Sequence, residues 1–519
     1  MKKRNSERGI AIVLALFLMS AMSVLAVSLM FLSQTETYAT MNYRMMSQAR
    51  YAAEAGVQKA SNFLLDSSQY HIPSTIAELS QFDRTVSPVT YNGDPVILSA
   101  SDAATSNYPV STMVDAYEAA GEGTLTAGTQ TLNYSTYAIL LHMQQFDSYG
   151  GGQAVVQTWQ IIGDGSLSAN QGATVQVVAT VETPKVAANS YAAFATANVC
   201  DAIYFHGNVT VNSYDSRVGP PTGAGNSTLD SGGDVGTNGN LHIQGSVDVQ
   251  GNLYTPRPGV GECTSGAVTG LTEGGSADVS GSMVQLPTEV LYPTPTFSTV
   301  PPTTTVTINA ALLASPATAC SSLGLTLGTN CTVNAITKTV TVDGNGTDVT
   351  MPSVVVSTGF KLVVAGNNPA QTVNINSLSG AGDVEFSSNV SGPLNESVVL
   401  KVSGKNPDST DMTVPMDLSN LNSWKQNSPS NSYDASALQI VYGGTATLRM
   451  KGGNTQSAAT IYAPNARFEL YGTQDLYGSI LAKTIENMGN ASIHYDRRLQ
   501  SDFWVAGHPM MGTFTWNRY

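Results

Sequence analysis

Between Ile10 and Leu32 the chain runs through IAIVLALFLMSAMSVLAVSLMFL, 23 residues without one ionisable side chain. At ~1.5 Å per residue, a helix of that length crosses a hydrocarbon layer ~30 Å thick. The charge-free window extends from Gly9 to Thr35. Ahead of it stand Lys2, Lys3, Arg4 and Arg8 against a single acid, Glu7. That bias holds the start on the cytoplasmic side and sends the remainder across. A cleaved secretory signal is the first alternative, but its apolar core is normally ~7–15 residues with an A-x-A-like end. This run is longer, and the segment after it does not read as a mature amino terminus.

The helical pattern continues beyond the apolar run. Tyr38, Met41, Met45, Ala49, Ala52, Gly56, Ala60 and Phe63 recur at steps of three and four, one stripe of a helix. No proline precedes Pro73. A helix from Ile10 to Leu65 would be roughly 84 Å long. Its first half is expected in the bilayer and its second half under a folded domain outside. A plain anchor needs no striped extension.

These residues resemble a family. Lys2 through Gly9 (KKRNSERG), followed by IAIVLAL, is similar to the class III leader of type IV pilins and type II secretion pseudopilins. Met41–Ala60 (MNYRMMSQARYAAEAGVQKA) resembles the PilX-type minor pilin segment, above all Ala52-Ala53-Glu54-Ala55-Gly56. The resemblance implies that a prepilin peptidase cuts the Gly9–Ile10 bond, that the new amino terminus is methylated, and that the helix later packs among those of other pilin subunits. Glycine suits the cut because it resists helix and leaves the backbone open to an enzyme at the bilayer edge. Major pilins of the family carry Glu at the fifth position after the cut, which is Leu14 in this chain. A carboxylate in lipid is costly unless paired. Its absence points to a minor subunit near the tip, against the simpler reading that Leu14 only marks an anchor.

The bulk numbers agree with an extracytoplasmic β protein. The chain has 519 residues, 23 basic and 37 acidic. That balance argues against a nucleic-acid partner, since duplex affinity comes largely from Lys and Arg on phosphates. Only 12% of residues are charged, against about 25% in ordinary soluble domains. None of the four cysteines forms a CxxC pair, which argues against zinc and thioredoxin-like chemistry. Cys320 and Cys331 enclose a turn-rich SSLGLTLGTN and are candidates for a disulfide in an oxidising compartment, leaving Cys200 and Cys263 as the second candidate pair. Four buried thiols is the competing reading.

Between residues 67 and 190 we expect an antiparallel sheet over the helix. Tyr137–Phe146 alternates, with Tyr137, Ile139, Leu141 and Met143 on one face. Thr158–Leu167 and Ala173–Glu182 follow, the latter placing Val175, Val177, Ala179 and Val181 on one side. His142 falls on the opposite face from the apolar one and reads as a surface group.

After Ser190 a six-residue period takes over. GNLHIQ, GSVDVQ and GNLYTP follow one another from Gly239 to Pro256, GDVGTN precedes them in phase, and GNVTVN and GSADVS repeat the pattern at a distance. One inward aliphatic and one corner glycine per six residues is the pattern of a parallel β-helix. Ordinary hairpins in a glycine-rich sandwich are the alternative. Loops are expected to leave the coil at Ser213–Asp230 and Pro287–Pro302, and the proline-rich Leu291–Thr305 reads as an extended linker. Ala459–Leu499 resembles the closing segment of large PilX-like proteins with β-helical carboxyl domains.

Parallel β-helices host polysaccharide-cleaving enzymes, and glycoside cleavage needs two carboxylates at a defined separation. Asp201, Asp215, Asp230 and Asp234 are close in sequence, but no Arg, Lys or His pattern brackets them, and acids in turns mostly bond their own backbone. Neither a GxSxG motif nor a metal-spaced histidine pair occurs. Asp343-Gly344-Asn345-Gly346-Thr347-Asp348 gathers oxygen ligands as calcium loops do, yet lacks the bidentate Glu of an EF-hand. Turn chemistry alone accounts for it, so no metal or cofactor is assigned. A Thr-, Asn-, Ser- and Tyr-rich coil face is suited to a surface or carbohydrate ligand.

The expected class is α+β. Residues 1–9 are a leader, 10–66 the pilin-type helix, 67–190 the antiparallel sheet domain and 191–519 a β-helical domain. The expected role is a non-enzymatic minor pilin, in the inner membrane before assembly and in a pilus or pseudopilus after it. A membrane-tethered adhesin and a polysaccharide-active enzyme are the alternatives.

Overall fold

The computed structural model describes residues 7–66, 69–73, 75–128, 130–149, 153–167, 173–219, 221, 231–297, 299–367, 370–388, 397–427, 433–451, 458–473, 475–507 and 510–518. The chain divides into two units: Met1–Gln145, Val155–Pro184 and Pro509–Tyr519 form the first, Phe146–Ala154 and Lys185–His508 the second.

The first unit is a long helix, Glu7–Leu65, with a six-stranded antiparallel sheet against its second half. The strands Gln130–Asp147, Gln153–Leu167 and Thr174–Glu182 lie side by side. Small residues let helix and sheet approach. A Cβ on Gly165 would stand 2.0 Å from the Ala49 carbonyl oxygen, so only glycine fits there. Val57, Phe63, Tyr117, Leu140, Trp159, Ile161, Val177 and Ala179 fill the core between them. Each such fully buried side chain contributes about 1.5–3 kcal/mol if apolar.

Two expectations need correcting in this unit. On Gln130–Asp147 the buried face is Leu132, Tyr134, Thr136, Ala138 and Leu140, whereas Tyr137, Ile139 and Leu141 are half-buried on the other. The helix-facing side carries the smaller residues Thr136 and Ala138, and the alternation shifts before the buried Met143. The sheet is also completed from a distance. Met510–Arg518 pairs antiparallel with Thr174–Glu182, Phe514 opposite Ala179, so the last strand of the chain belongs to the first unit and not to the β-helical body.

The second unit is a parallel β-helix. An 18-stranded sheet and a 5-stranded sheet form its walls, and the pairings between successive coils are parallel. The six-residue period marks the three sides of one coil. Leu241 and Val247 sit in Leu241–Val249 on either side of a corner at Gly245, and Leu253 begins the next side. One turn returns after 18 residues, where Asn252 N donates to Asp234 Oδ1. Gly207, Gly245 and Gly275 stack in register at one corner with φ of 93°, 95° and 77°. The left-handed backbone and the close approach of neighbouring coils both demand glycine. Inside, Ile203, Leu241 and Leu271 form one aliphatic ladder, and Val211, Val249 and Ile493 lie in the same core.

The coils are not stacked in chain order. Ala193–Ala195 pairs on one side with Val235–Thr237 and on the other with Ile480–Ala482. Val211 likewise lies between Val249 and Ile493. The chain therefore enters the spiral in its middle and winds to one end at Met283–Gln285. It crosses to the far end at Thr305–Ile308, then winds back to meet its own start. The proline-rich segment after Gln285 makes the crossing as a strap. Ten rung steps of ~4.8 Å need about 48 Å, within reach of nineteen extended residues at ~3.3 Å each. Bonds fix the strap on the way: Asn238 Nδ2 donates to Val290 O, Tyr462 OH to Pro293 O, and Asn465 Nδ2 to Thr294 Oγ1. Tyr292 packs edge-on against Phe194, ring centres 5.0 Å apart.

The far end is closed by two short helices, Ala310–Leu313 and Pro316–Ser322, whose Leu313 and Cys320 enter the core. Cys320 is bonded to Cys331. At the opposite end Cys200 is bonded to Cys263 and pins a loop in which Val260 bridges Leu271 of the last coil.

Candidate assembly helix

In the N-terminal helix every residue from Ile10 to Arg44 is exposed; Ile10 and Leu14 are 64% and Phe17 76% accessible. It is the one helix, among the described residues, long and apolar enough to cross a membrane. The few polar groups in the run are internally satisfied. Ser20, Ser23 and Ser28 hydroxyls donate to the carbonyls of Phe17, Met19 and Val24, at 2.9, 2.8 and 2.8 Å. An unsatisfied hydroxyl in hydrocarbon costs several kcal/mol, so this bonding suits a helix immersed in lipid or among apolar neighbours.

The striped second half divides in two. Ala49, Ala52, Gly56, Ala60 and Phe63 are buried under the sheet, while Tyr38 and Met41 remain exposed. Arg50 Nε donates to Glu54 Oε1 at 2.6 Å one helical turn on, placing the Glu of the AAEAG segment in a local ion pair.

At the head, Lys2, Lys3 and Arg4 lie outside the described residues. The helix begins at Glu7 and runs through Gly9, where the sequence predicts an open backbone. A peptidase acting at Gly9–Ile10 has to unwind the first turn, which is the weakest part of any helix because its N–H groups have no intrahelical partners.

The other candidate residues are dispersed along the β-helix. Asp201 Oδ1 is 2.7 Å from His242 Nδ1. Asp215 is held by Arg217, Nη2 to Oδ2 at 2.8 Å, and the hydrogen bonds from Arg217 keep its carboxyl below the usual range. Asp234 accepts from Asn252 N at 2.8 Å. Asp230 lies outside the described residues. Each described acid thus has a partner from a turn or a neighbouring coil. His142 is exposed on the sheet, the surface position its alternation implies. In the 343–348 loop Asp343 Oδ1 accepts from Asn345 N at 2.9 Å, the turn bonding the composition implies. Among the described residues no cluster of three His, Cys, Asp or Glu side chains is gathered for a metal.

Two features had no signal in the sequence. Tyr204, His206 and His242 stack on the outer sheet face, ring centres 4.9 and 4.7 Å apart; the register that joins Tyr204 to His242 spans two coils. Asp496 is fully buried where the β-helix ends, accepting from Ser216 N, Arg498 N and Ala435 N. Burial pushes its carboxyl up to about 6.

Residues 8–58 match the family described as PilX N-terminal. Residues 328–502 match a domain of unknown function (DUF7305), which covers most of the second run of coils. No curated protein matches the chain. Among solved structures, the competence-associated pilin ComZ from Thermus thermophilus aligns at 14% identity over 92% of this chain and 98% of that one, with a TM-score of 0.22. A superposition that loose transfers neither fold nor function. The exposed apolar helix and the match at residues 8–58 make the amino-terminal segment of this chain similar to that of PilX-type pilins.

Proposed function

We propose that the chain is inserted through Ile10–Leu32 with its head in the cytoplasm, is cut after Gly9 by a prepilin peptidase, and joins a type IV pilus or pseudopilus. There it displays the β-helical body for priming assembly or for adhesion. The observation that carries this reading is the uncharged, uncovered helix from Ile10 onward. Packed among other apolar helices, it would bury what no part of its own unit covers. At about 25 cal/mol per Å² of apolar surface, such lateral packing is a large driving force. Leu14 supports a minor position: without a carboxylate there, the helix has nothing to pair with the charged amino terminus of a neighbour. The role proposed is structural rather than enzymatic, with other pilin subunits as partners through the helix and a surface or carbohydrate as a ligand of the β face.

The test is co-purification with fibres sheared from cells that have or lack the prepilin peptidase. Recovery in sheared fibres only when the peptidase is present supports the proposal. Equal retention in the membrane fraction of both strains favours a tethered adhesin instead.

A further inference from the structure

Asn-x-Ser/Thr, the acceptor pattern for an N-linked sugar, occurs eight times in the chain. Asn226, Asn389 and Asn395 lie outside the described residues. Of the five others, four are locked into the fold at their middle residue. Tyr134 follows Asn133, Val209 follows Asn208, Cys331 follows Asn330 and Ala491 follows Asn490, and all four of these followers are buried. Asn133 and Asn208 also stand inside sheet strands, Gln130–Asp147 and Ile203–Tyr214. Asn330 Oδ1 accepts from Thr326 N at 2.7 Å, and Asn490 Oδ1 from Asn208 N at 3.1 Å. A transferase has to take up the asparagine amide and the hydroxyl two residues on together, and at these four places that means pulling a buried residue out of the folded chain.

The fifth tripeptide, Asn345-Gly346-Thr347, is open. It lies in the loop between the β-helix strands Thr339–Val342 and Val349–Val356. Asn345 and Thr347 are exposed, and a Cβ added at Gly346 would meet nothing within 4 Å. Asn345 and Gly346 have φ of 48° and 81°, and Thr347 N donates to Gly344 O at 2.9 Å. This is a tight turn with both central residues in the left-handed region, which lifts the asparagine to the tip. The base is fixed: Gln371 Nε2 donates to Thr347 O at 2.7 Å and Asn367 Nδ2 to Asp343 Oδ1 at 3.3 Å. The backbone N of Asn345 donates to Asp343 Oδ1 at 2.9 Å, while among the described residues its side-chain amide enters no hydrogen bond. Asp343 stands two residues ahead of the acceptor, a place where none of the other seven tripeptides has an acid. It gives an enzyme a charged handle beside the amide.

We propose that Asn345 is an N-glycosylation site, modified on the folded β-helix by an extracytoplasmic transferase that uses a lipid-diphosphate-linked oligosaccharide. Asn345 Nδ2 forms a bond to the anomeric carbon of the first sugar. The bond from that carbon to the phosphate oxygen breaks, the diphosphate leaves with the lipid, and the amide gives up one proton to solvent. No oxidant or reductant takes part. A bulky, hydrated chain at this tip coats one side of the coil without touching its core. The proposal rests on the part of the functional reading that carries the β-helical body across the membrane, and not on entry into a fibre.

The test is peptide mass spectrometry on the full chain purified from the cells that naturally produce it, with fragmentation that leaves the sugar bond intact. We expect the peptide holding Asn345 to carry a glycan on Nδ2. The added mass should disappear in Asn345→Gln and in Thr347→Val, which leaves the asparagine in place, and should persist in Thr347→Ser. A bare Asn345, a sugar on Asn133 or Asn208 in its stead, or an added mass unchanged in Thr347→Val would overturn the proposal. The amino-terminal peptide from the same digest separates the two readings. Methylated Ile10 with a bare Asn345 sinks this inference alone, whereas a chain beginning at Met1 with a glycan on Asn345 sinks the pilin reading and leaves this one standing.

Discussion

Ala193 lies opposite Ile480 in parallel register, and beside them Ser479 Oγ donates to Tyr191 O across 288 residues of chain. The seam between the start and the close of the β-helix is thus ordinary sheet. The same spiral would result if the residues near 190 directly followed those near 496. The covalent connection runs elsewhere, through the proline-rich strap.

Cutting the strap should therefore not dissolve the body. A protease site inserted at Thr299–Val300, where Val300 is exposed, should yield two fragments that still co-elute in native chromatography. They should separate only on denaturation, because the 193–480 seam and its ladders remain. Immediate separation of the nicked fragments would show that the strap, not the seam, holds the two runs together.

Gly245 sets a corner at φ 95°, and a Cβ there would stand 2.8 Å from the Gly207 carbonyl oxygen. Gly245→Ala should lower stability by about 1–3 kcal/mol, through strain at a left-handed position and a clash with the neighbouring coil. Gly266 is the control, because a Cβ added there would meet nothing within 4 Å. Gly266→Ala should stay within about 0.5 kcal/mol of the parent chain. Thermal unfolding of both variants decides it.

The two disulfides close loops of different length, with sequence separations of 63 for Cys200–Cys263 and 11 for Cys320–Cys331. On the chain-entropy account, losing the first costs about 4 kcal/mol and losing the second about 3 kcal/mol. Cys→Ser pairs, measured separately by denaturant unfolding under oxidising conditions, should rank in that order.

Asp496 gives a pH dependence of definite sign. Burial raises its carboxyl to about 6 from 3.8, so the folded chain holds a proton that the unfolded chain has released between those values. The stability this group contributes is complete below about pH 4 and is lost as pH rises through about 6, by about 3 kcal/mol. Unfolding midpoints of Asp496→Asn should vary less between pH 4 and 6.5 than those of the parent chain, after common changes from other groups are subtracted by comparing the two. Equal slopes would contradict it.

Much of this architecture can be read locally. The apolar helix announces itself by the absence of charge from Gly9 to Thr35. The coil sides announce themselves through Leu241, Val247 and Leu253, because each side needs one inward aliphatic and each corner something small. The seam at Ala193 and Ile480 cannot be read in this way. Parallel pairing is made by backbone groups, and any Val- or Ala-rich strand fits beside any other. For the same reason the return of Met510–Arg518 to Thr174–Glu182 is invisible until both strands are placed. The face of Gln130–Asp147 is set by the demand for close helix approach, which favours Ala138 over Ile139 regardless of hydrophobicity. The assembly helix is legible in full, but the choice of Asn345 among the Asn-x-Ser/Thr tripeptides is not: the others close only once neighbouring strands and coils cover Tyr134, Val209, Cys331 and Ala491.

If the helix is trimmed at its inner margin and passes from lipid into a fibre, the amino terminus carries the record. Mass spectrometry of the amino-terminal peptide, taken from protein in sheared filaments, reads that record without an intermediary. We predict a chain beginning at methylated Ile10. A chain still beginning at Met1, or one never found in the sheared fraction, would refute the pilin reading.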